Sequence, residues 1–304
     1  MRRDSRSGVL PVDKGEGVTS FQVVAQLRRV LRAPKIGHGG TLDPAATGLL
    51  PILIGEATKL TPYLVDLDKE YLATVRLGVA TDTQDLSGAV LETRTVPNLD
   101  AVVVTRALQR FVGTIQQVPP MYSALHHEGR RLYELAREGV EVERAPREVL
   151  VYAIDLEALE APDLVIRVHC GKGFYVRTLA ADLGAALGCG GALAKLVRTR
   201  VGPYRLEDAA PWTLVREARD GGALWPYLLP LDSALESMPE TRLSEEGTRA
   251  FVNGQSVTEP GASGLVRVYG PDGLLLGIGV RRGALVKPER LLHADPPRPR
   301  VLPA

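Results

Sequence analysis

The chain has 304 residues, 45% of them apolar and 24% charged, with a formal net charge of +1. That is long enough for a full core plus a smaller second domain, and the even charge balance excludes a globally basic binder of polyanions. Positive charge is instead local: no acidic residue interrupts residues 17–42, 164–181 or 183–206, and each stretch carries several Arg or Lys. Only seven of the 37 basic residues are lysines, and arginine suits phosphate and base-edge recognition better. Cys170 and Cys189 have no metal-type spacing, which points to a reduced, cytosolic compartment. Residues 1–8 lack the apolar run of a signal peptide, and the longest apolar stretch, near residues 49–54, is too short to cross a bilayer; a soluble intracellular protein is expected.

In chain order, residues 8–13 read as a short strand and 14–17 as a loop. Thr19 or Ser20 is placed to cap a helix whose apolar positions Val23, Val24, Leu27, Val30 and Leu31 recur at helical spacing. Arg28, Arg29 and Arg32 fall on its outer side, and Ala33-Pro34 ends it. Residues 37–50 then read G-H-G-G-T-L-D-P-A-A-T-G-L-L. Gly37, Gly39, Gly40 and Pro44 crowd around one carboxylate, Asp43, which favours a shaped loop over a helix or strand. Asp43 is the only acid between Glu16 and Glu56, with Arg28, Arg29, Arg32 and Lys35 just before it. A lone aspartate in a positive field stays ionised, and the same field attracts a polyanion. Spacing alone fits an Asp-Pro turn with a helix cap at Thr41 or Asp43 equally well.

Residues 69–78 alternate as a strand, with Tyr71, Ala73, Val75 and Leu77 on one face and Leu72, Thr74 and Arg76 on the other. Asp82 and Asp85 fail the calcium-loop pattern, because Gln84 and Leu86 stand where ligands are needed; a loop capped by its own carboxylates is expected. Residues 99–112 read as an amphipathic helix ending at Gly113. The double proline after Gln117-Val118 predicts an extended entry, and residues 130–138 a short helix. His126 and His127 are adjacent and make a poor metal pair, so no metal is expected. Residues 164–170 alternate, with Ile166 and Val168 opposite Arg167 and His169, and lead into G-K-G-F-Y-V-R-T at 171–178. The P-loop spacing is absent there, so no nucleotide cofactor is expected. From about Asp232 the composition changes. Ser244 caps a helix ending at Asn253-Gly254, and Gly270-Pro271-Asp272-Gly273 makes a turn between strands at 265–269 and 274–280. Arg281, Arg282, Lys287 and Arg290 cluster after it, and residues 295–304, with four prolines, read as a disordered tail.

The motifs carry a resemblance. G-H-x-G-x-L-D-P-x-A-T-G is matched at residues 37–48, and the chain resembles the TruB family of tRNA pseudouridine synthases. Lys14 to Ser20 is similar to the family's K-P-x-G-x-T-S, with Gly15 in place of the usual proline. K-x-Y at Lys69 to Tyr71 followed by L-G-x-x-T-D-T-x-D-x-x-G at residues 77–88 (one motif), residues 117–139 and K-G-x-Y-x-R at Lys172 to Arg177 complete the match, five motifs in order between residues 8 and 206. The resemblance implies an α+β fold: a mixed, mostly antiparallel sheet core with flanking helices over residues 1–231, and a small PUA-like β-barrel for RNA contact over 232–304. It implies that Asp43 is the nucleophile, that Arg177 pairs with it, that Tyr71 stacks on the target base and that Leu196 lines the uracil pocket. His38 and Tyr175 would contact the nucleotide and its neighbours. It further implies a monomer that acts on the T-loop uridine (position 55) in the T-arm of tRNA, flipping out the base without a cofactor. Alternatives are the guide-RNA-dependent branch of the same family, a tRNA-binding folding helper, or a hydrolase using Asp43, the last lacking a partner carboxylate or a D-x-D-x-T pattern.

Overall fold

A computed structural model describes residues 6–123 and 125–292. The expected tail at 295–304 lies outside the described residues. In chain order the elements used below are β1 (Gly8–Lys14), α1 (Ser20–Leu31), β2 (Ile36–His38), β3 (Thr47–Ile54), β4 (Lys69–Leu77), α2 (Ala101–Gln109), β5 (Gly113–Gln117) and α3 (Leu132–Arg137). They continue with β6 (Arg147–Glu160), β7 (Asp163–Cys170), α4 (Val176–Ala186), β8 (Gly191–Val201) and β9 (Ala210–Pro211). The C-terminal elements are β10 (Glu240–Arg242), α5 (Glu245–Val252), β11 (Val257–Thr258), β12 (Gly264–Tyr269), β13 (Leu275–Arg282) and β14 (Leu285–Leu291). The chain divides into two compact units, one made of Met1–Pro44, Gly48–Val65 and Val201–Ala304, the other of Ala45–Thr47 and Asp66–Arg200. Among the described residues no helix is long and apolar enough to cross a membrane.

In the first unit β1 lies between β3, antiparallel, and β9, parallel, with β2 added antiparallel to β3. Residues 49–54 of β3 are essentially inaccessible, which is why they read as an unbroken apolar run instead of alternating. Thr19 closes a capping box on α1: the Gln22 amide N–H donates to Thr19 Oγ1 (3.1 Å), and the Thr19 N–H donates to Gln22 Oε1 (2.8 Å). The helix buries Val23, Val24, Leu27, Val30 and Leu31 and stops at Arg32, which adopts a left-handed conformation (φ 51°). Arg28, Arg29 and Arg32 are exposed, as the periodicity requires.

The C-terminal part of this unit is a second sheet of five strands in the order β10-β12-β13-β14-β11, curled as a half-barrel, not a closed barrel. Leu243, Phe251, Val257, Val266, Val268 and Val286 form its core, and Ser244 caps α5 by accepting from the Gly247 N–H at 3.1 Å. One expectation fails here. Arg281 is not part of an exposed basic cluster: it is only 6% exposed, on the same face of β13 as Gly277 and Gly279. Gly261 lies so close that a Cβ there would come within 2.4 Å of Arg281 Nη1. Arg282, Lys287 and Arg290 remain exposed.

The second unit carries strands in the order β8-β4-β7-β6-β5, with β4, β7, β6 and β5 pairing antiparallel. Ala73, Val75 and Leu77 of β4 and Leu164, Ile166 and Val168 of β7 form one core with residues of α2 and α4. The approach of α4 to the start of β8 leaves no room for a side chain, since a Cβ on Gly184 would meet Gly191 N at 2.1 Å. Two helix limits differ from the sequence reading. The predicted helix at 99–112 is Ala101–Gln109, because the Asp100 carboxylate accepts from the Val103 N–H (2.8 Å) and sets the start. The helix expected at 130–138 is Leu132–Arg137, because Arg130–Arg131 pairs instead with His126–His127 as a two-residue hairpin.

Candidate active site

Asp43 sits in a loop, residues 39–46, that joins β2 to β3. Its flanks are not loop as the glycine content predicted: Gly37 and His38 pair with Leu53 and Ile52, and Thr47 onward is strand. A turn at residues 44–45 and then β3 follow Asp43, so the cap reading of this aspartate has no helix to serve. The backbone is held on both sides of Asp43. Before it, Ser20 Oγ accepts from the Leu42 N–H (3.0 Å) and donates to the Leu42 carbonyl (3.2 Å). After it, the Pro44 carbonyl accepts from the Gly17 N–H (2.9 Å) and from Lys14 Nζ (3.2 Å). Lys14 is completely buried, and its ammonium also donates to the carbonyls of Val18 (2.7 Å) and Gly15 (3.0 Å). The motif at residues 14–20 is therefore a clamp for the loop. His38 is half-buried at the end of β2.

Neither Lys14 nor Ser20 was singled out from sequence as a functional residue, because hydrogen bonds across 22 to 30 positions have no periodic signature. The clamp makes a prediction. Lys14→Met leaves three backbone carbonyls without their charged donor, each such bond contributing about 1.5–3 kcal/mol. We expect a lower melting temperature and turnover reduced at least ~10-fold, whereas Ser20→Ala costs only about 1 kcal/mol. Thermal melts alongside single-turnover kinetics check both, and wild-type turnover by Lys14→Met would refute the clamp.

The other expected residues lie in the second unit. Tyr175 is the residue before α4, and its backbone is gripped by one buried side chain: the Tyr175 N–H donates to Gln117 Oε1 (3.0 Å), and Gln117 Nε2 donates to the Tyr175 carbonyl (3.2 Å). Arg177 follows in the first turn, with its side chain 7% exposed. Its Nη2 donates to the Tyr122 carbonyl (2.7 Å), its Nη1 to the Thr83 carbonyl (3.3 Å), and its Nε lies 3.9 Å from Asp85 Oδ2. The loop supplying Thr83 and Asp85 is capped by its own carboxylates, as expected: Asp82 Oδ1 accepts from the Ala89 N–H (2.8 Å) and Asp85 Oδ1 from the Ser87 N–H (3.0 Å). Thr178 Oγ1 ties the same loop to α4 through Gln84 Oε1 (3.1 Å).

Tyr71 opens β4 opposite Val168 of β7, and Leu196 lies on β8; both are partly buried against the same core. Beside them is a residue that sequence reading missed, Arg198, only 1% exposed and hydrogen-bonded to the Tyr71 side chain. Burial pushes its guanidinium pKa down, while the tyrosine acts in the opposite direction. Burial, helped by the charge of Arg198, also pushes the Lys69 ammonium down to about 8. Cys170 and Cys189 are buried and unbridged, and burial pushes the Cys170 thiol up to about 12.

Comparison with known proteins bears on the whole chain. The profile of the TruB family pseudouridylate synthase N-terminal domain matches residues 28–176. The tRNA pseudouridylate synthase B C-terminal domain matches 177–236, and the pseudouridine synthase II TruB C-terminal profile matches 239–292. Among curated relatives, tRNA pseudouridine synthase B of Aromatoleum aromaticum is 47% identical over 287 residues, covering 94% of this chain and 92% of its own. The protein of the same name from Thiobacillus denitrificans is 46% identical over 292 residues, covering 95% and 97%. Among solved structures, a chain in the crystal structure of a Cbf5-Nop10-Gar1 complex superposes with a TM-score of 0.72 at 26% identity, over 94% of this chain and 85% of that one. With these matches running through both units and both flanks of the Asp43 loop, the chain belongs to the TruB family of pseudouridine synthases.

Proposed function

We infer that the protein is an isomerase that converts uridine in tRNA to pseudouridine, and we propose that its target is the T-loop uridine at position 55, reached by flipping the base out of the RNA. The reaction breaks the N1–C1′ bond, rotates the base and rejoins it through C5, with no net redox change or hydrolysis. Asp43 is the nucleophile, kept ionised by a two-pronged pair with Arg177. Tyr71 stacks on the flipped base, Leu196 packs against it, and His38 and Tyr175 contact the nucleotide and its neighbours. The enzyme works as a monomer in the cytoplasm on the T-arm. Residues 232–304 form its RNA-binding module, where the exposed Arg282, Lys287 and Arg290 meet phosphates.

The observation that carries this reading is the clamp on both sides of Asp43, which fixes one carboxylate without using that carboxylate as a bond in the clamp. The experiment is incubation of the pure protein with a tRNA transcript, followed by mapping of pseudouridine. Isomerisation at a single T-loop position is the expected result. No product without added guide RNA, or product at other positions only, overturns it.

The role of Tyr71 gives a graded prediction. Tyr71→Leu loses both ring and hydroxyl, and Tyr71→Phe only the hydroxyl. Stacking contributes about 1–3 kcal/mol per base, so Leu should weaken RNA affinity more than Phe does. Phe should bind as wild type yet isomerise as poorly as Leu if the hydroxyl takes part in the chemistry. Full activity of Tyr71→Phe reduces Tyr71 to a stacking platform.

A further inference from the structure

We propose that Arg198 is a positioning residue for the Tyr71 hydroxyl: its buried guanidinium donates to the phenol oxygen, so that this oxygen is held and charged to accept the C5 proton of the uracil. This rests on the reading of Tyr71 given above, and it extends that reading to a residue to which no role has been assigned. The geometry stands on the strand register. β8 and β4 are neighbours in the sheet, and Thr199 Oγ1 donates to Glu70 Oε1 (2.7 Å) and approaches the Glu70 carbonyl (3.3 Å). That contact sets Thr199 beside Glu70 on one face. Alternation then turns Arg198 and Tyr71 together to the other face, where they hydrogen-bond.

Arginine is a costly residue to bury. It does not shed its proton, and removing its charge from water carries a penalty of several kcal/mol. At 1% exposure, Arg198 is among the largest fully buried side chains of the molecule. A tyrosine is a poor partner if neutrality is the only aim, but a well-matched one if the phenol must carry negative charge. A cation within hydrogen-bond distance favours the ionised phenol, and such an opposite charge lowers an acid's pKa by about 1–3 units. The other titratable groups around this face either add positive charge or stay neutral. Lys69, two residues before Tyr71 on the same face of its own strand, adds positive charge; Cys170, facing Lys69 from β7, stays a neutral thiol because burial holds its pKa up, and Arg177 of α4 is engaged by Tyr122, Thr83 and Asp85. Glu70, Arg167 and Thr199 engage one another on the opposite face.

The proton balance closes without a co-reactant. Once C5 has bonded to C1′, the C5–H bond breaks and the proton moves to the Tyr71 oxygen. The electron pair left behind restores the C5–C6 double bond, N1 takes a proton from solvent, and Tyr71 returns its own to solvent. One proton leaves carbon and one arrives at nitrogen, so uridine and pseudouridine remain isomers.

The test compares Arg198→Met, Arg198→Lys, Tyr71→Phe and the Arg198→Met/Tyr71→Phe pair, using full-length protein and a tRNA transcript. The phenol of Tyr71 is titrated by its ultraviolet absorbance, as the difference between each protein and its Tyr71→Phe counterpart. We expect Arg198→Met to raise that midpoint by about 1–3 pH units and Arg198→Lys to restore part of it. Single-turnover isomerisation should fall about 10- to 100-fold in Arg198→Met, a primary isotope effect should appear with uridine deuterated at C5, and Arg198→Met should add nothing in the Tyr71→Phe background. An unchanged midpoint, or a full additive loss in the double variant, overturns the proposal. Circular dichroism and tRNA affinity separate misfolding from this effect, and because Arg198→Lys keeps the charge, a Lys variant with a phenol midpoint as high as that of Met also overturns it. Full activity of Tyr71→Phe refutes instead the underlying role of the hydroxyl.

Discussion

Asp43→Asn is expected to bind tRNA as tightly as the wild type and to make no measurable pseudouridine. Asparagine has nearly the same shape as aspartate, and the bonds that hold the loop run from Lys14, Gly17 and Ser20 to the backbone of Leu42 and Pro44. None of these backbone bonds uses the Asp43 carboxylate, so they persist in the variant. Affinity comes from phosphate contacts and stacking, which the substitution does not touch. What is lost is a charged nucleophile. Removing the nucleophile from an enzyme of this kind costs on the order of 10⁴- to 10⁶-fold in turnover. Filter binding and single-turnover kinetics on one tRNA preparation, with the substitution verified by mass spectrometry, separate the two quantities. Turnover within ~10-fold of wild type would remove Asp43 from the role of nucleophile. A parallel loss of binding would show instead that the charge organises the RNA surface.

Where local chemistry decides structure, the sequence could be read. The alternation through β4 and β7 assigned the buried faces of Ala73, Val75, Ile166 and Val168, since a strand in a half-covered sheet has a period of two. The start of α1 was legible because Thr19 and Gln22 form a cap from residues three apart. The turn at residues 270–273 was legible for the same reason, being set by its own Pro, Asp and Gly. What escaped was long-range. Gln117 grips Tyr175 across 58 positions, and Lys14 reaches Pro44 across 30. A buried polar side chain serving a distant backbone looks, in sequence, like any surface residue. Arg281 shows the reverse error: among other basic residues it reads as exposed charge, while strand alternation turns it to the inner face of β13. The helix limits at 101–109 failed at the scale of one cap, where Asp100 takes precedence over the apolar Leu99.

Arg177→Lys should be nearly as damaging as removing the side chain. The guanidinium divides its nitrogens among three groups of the second unit: the Tyr122 carbonyl, the Thr83 carbonyl and the Asp85 carboxylate. A lysine ammonium carries its three donors on one atom, whereas the guanidinium spreads Nη1, Nη2 and Nε over a rigid plane to reach three separately placed acceptors. The grip of Gln117 on the Tyr175 backbone fixes where that helix begins, so the shorter reach cannot be recovered by sliding α4. Two consequences separate experimentally. The first is structural: at 7% exposure, a charged group with poorly made bonds destabilises the fold by about 3–5 kcal/mol, visible as a lower melting temperature. The second is chemical. If Arg177 also holds Asp43 through a two-pronged pair, losing that fork adds about 1.5–3 kcal/mol to the barrier, a further ~10- to 100-fold in single-turnover rate measured well below the melting point. A Lys variant that melts early but isomerises within a few-fold of wild type would leave Arg177 as a fastener for the loop and Tyr122, with charge alone sufficient for Asp43. A variant that melts normally and is still slow would assign the loss to the fork.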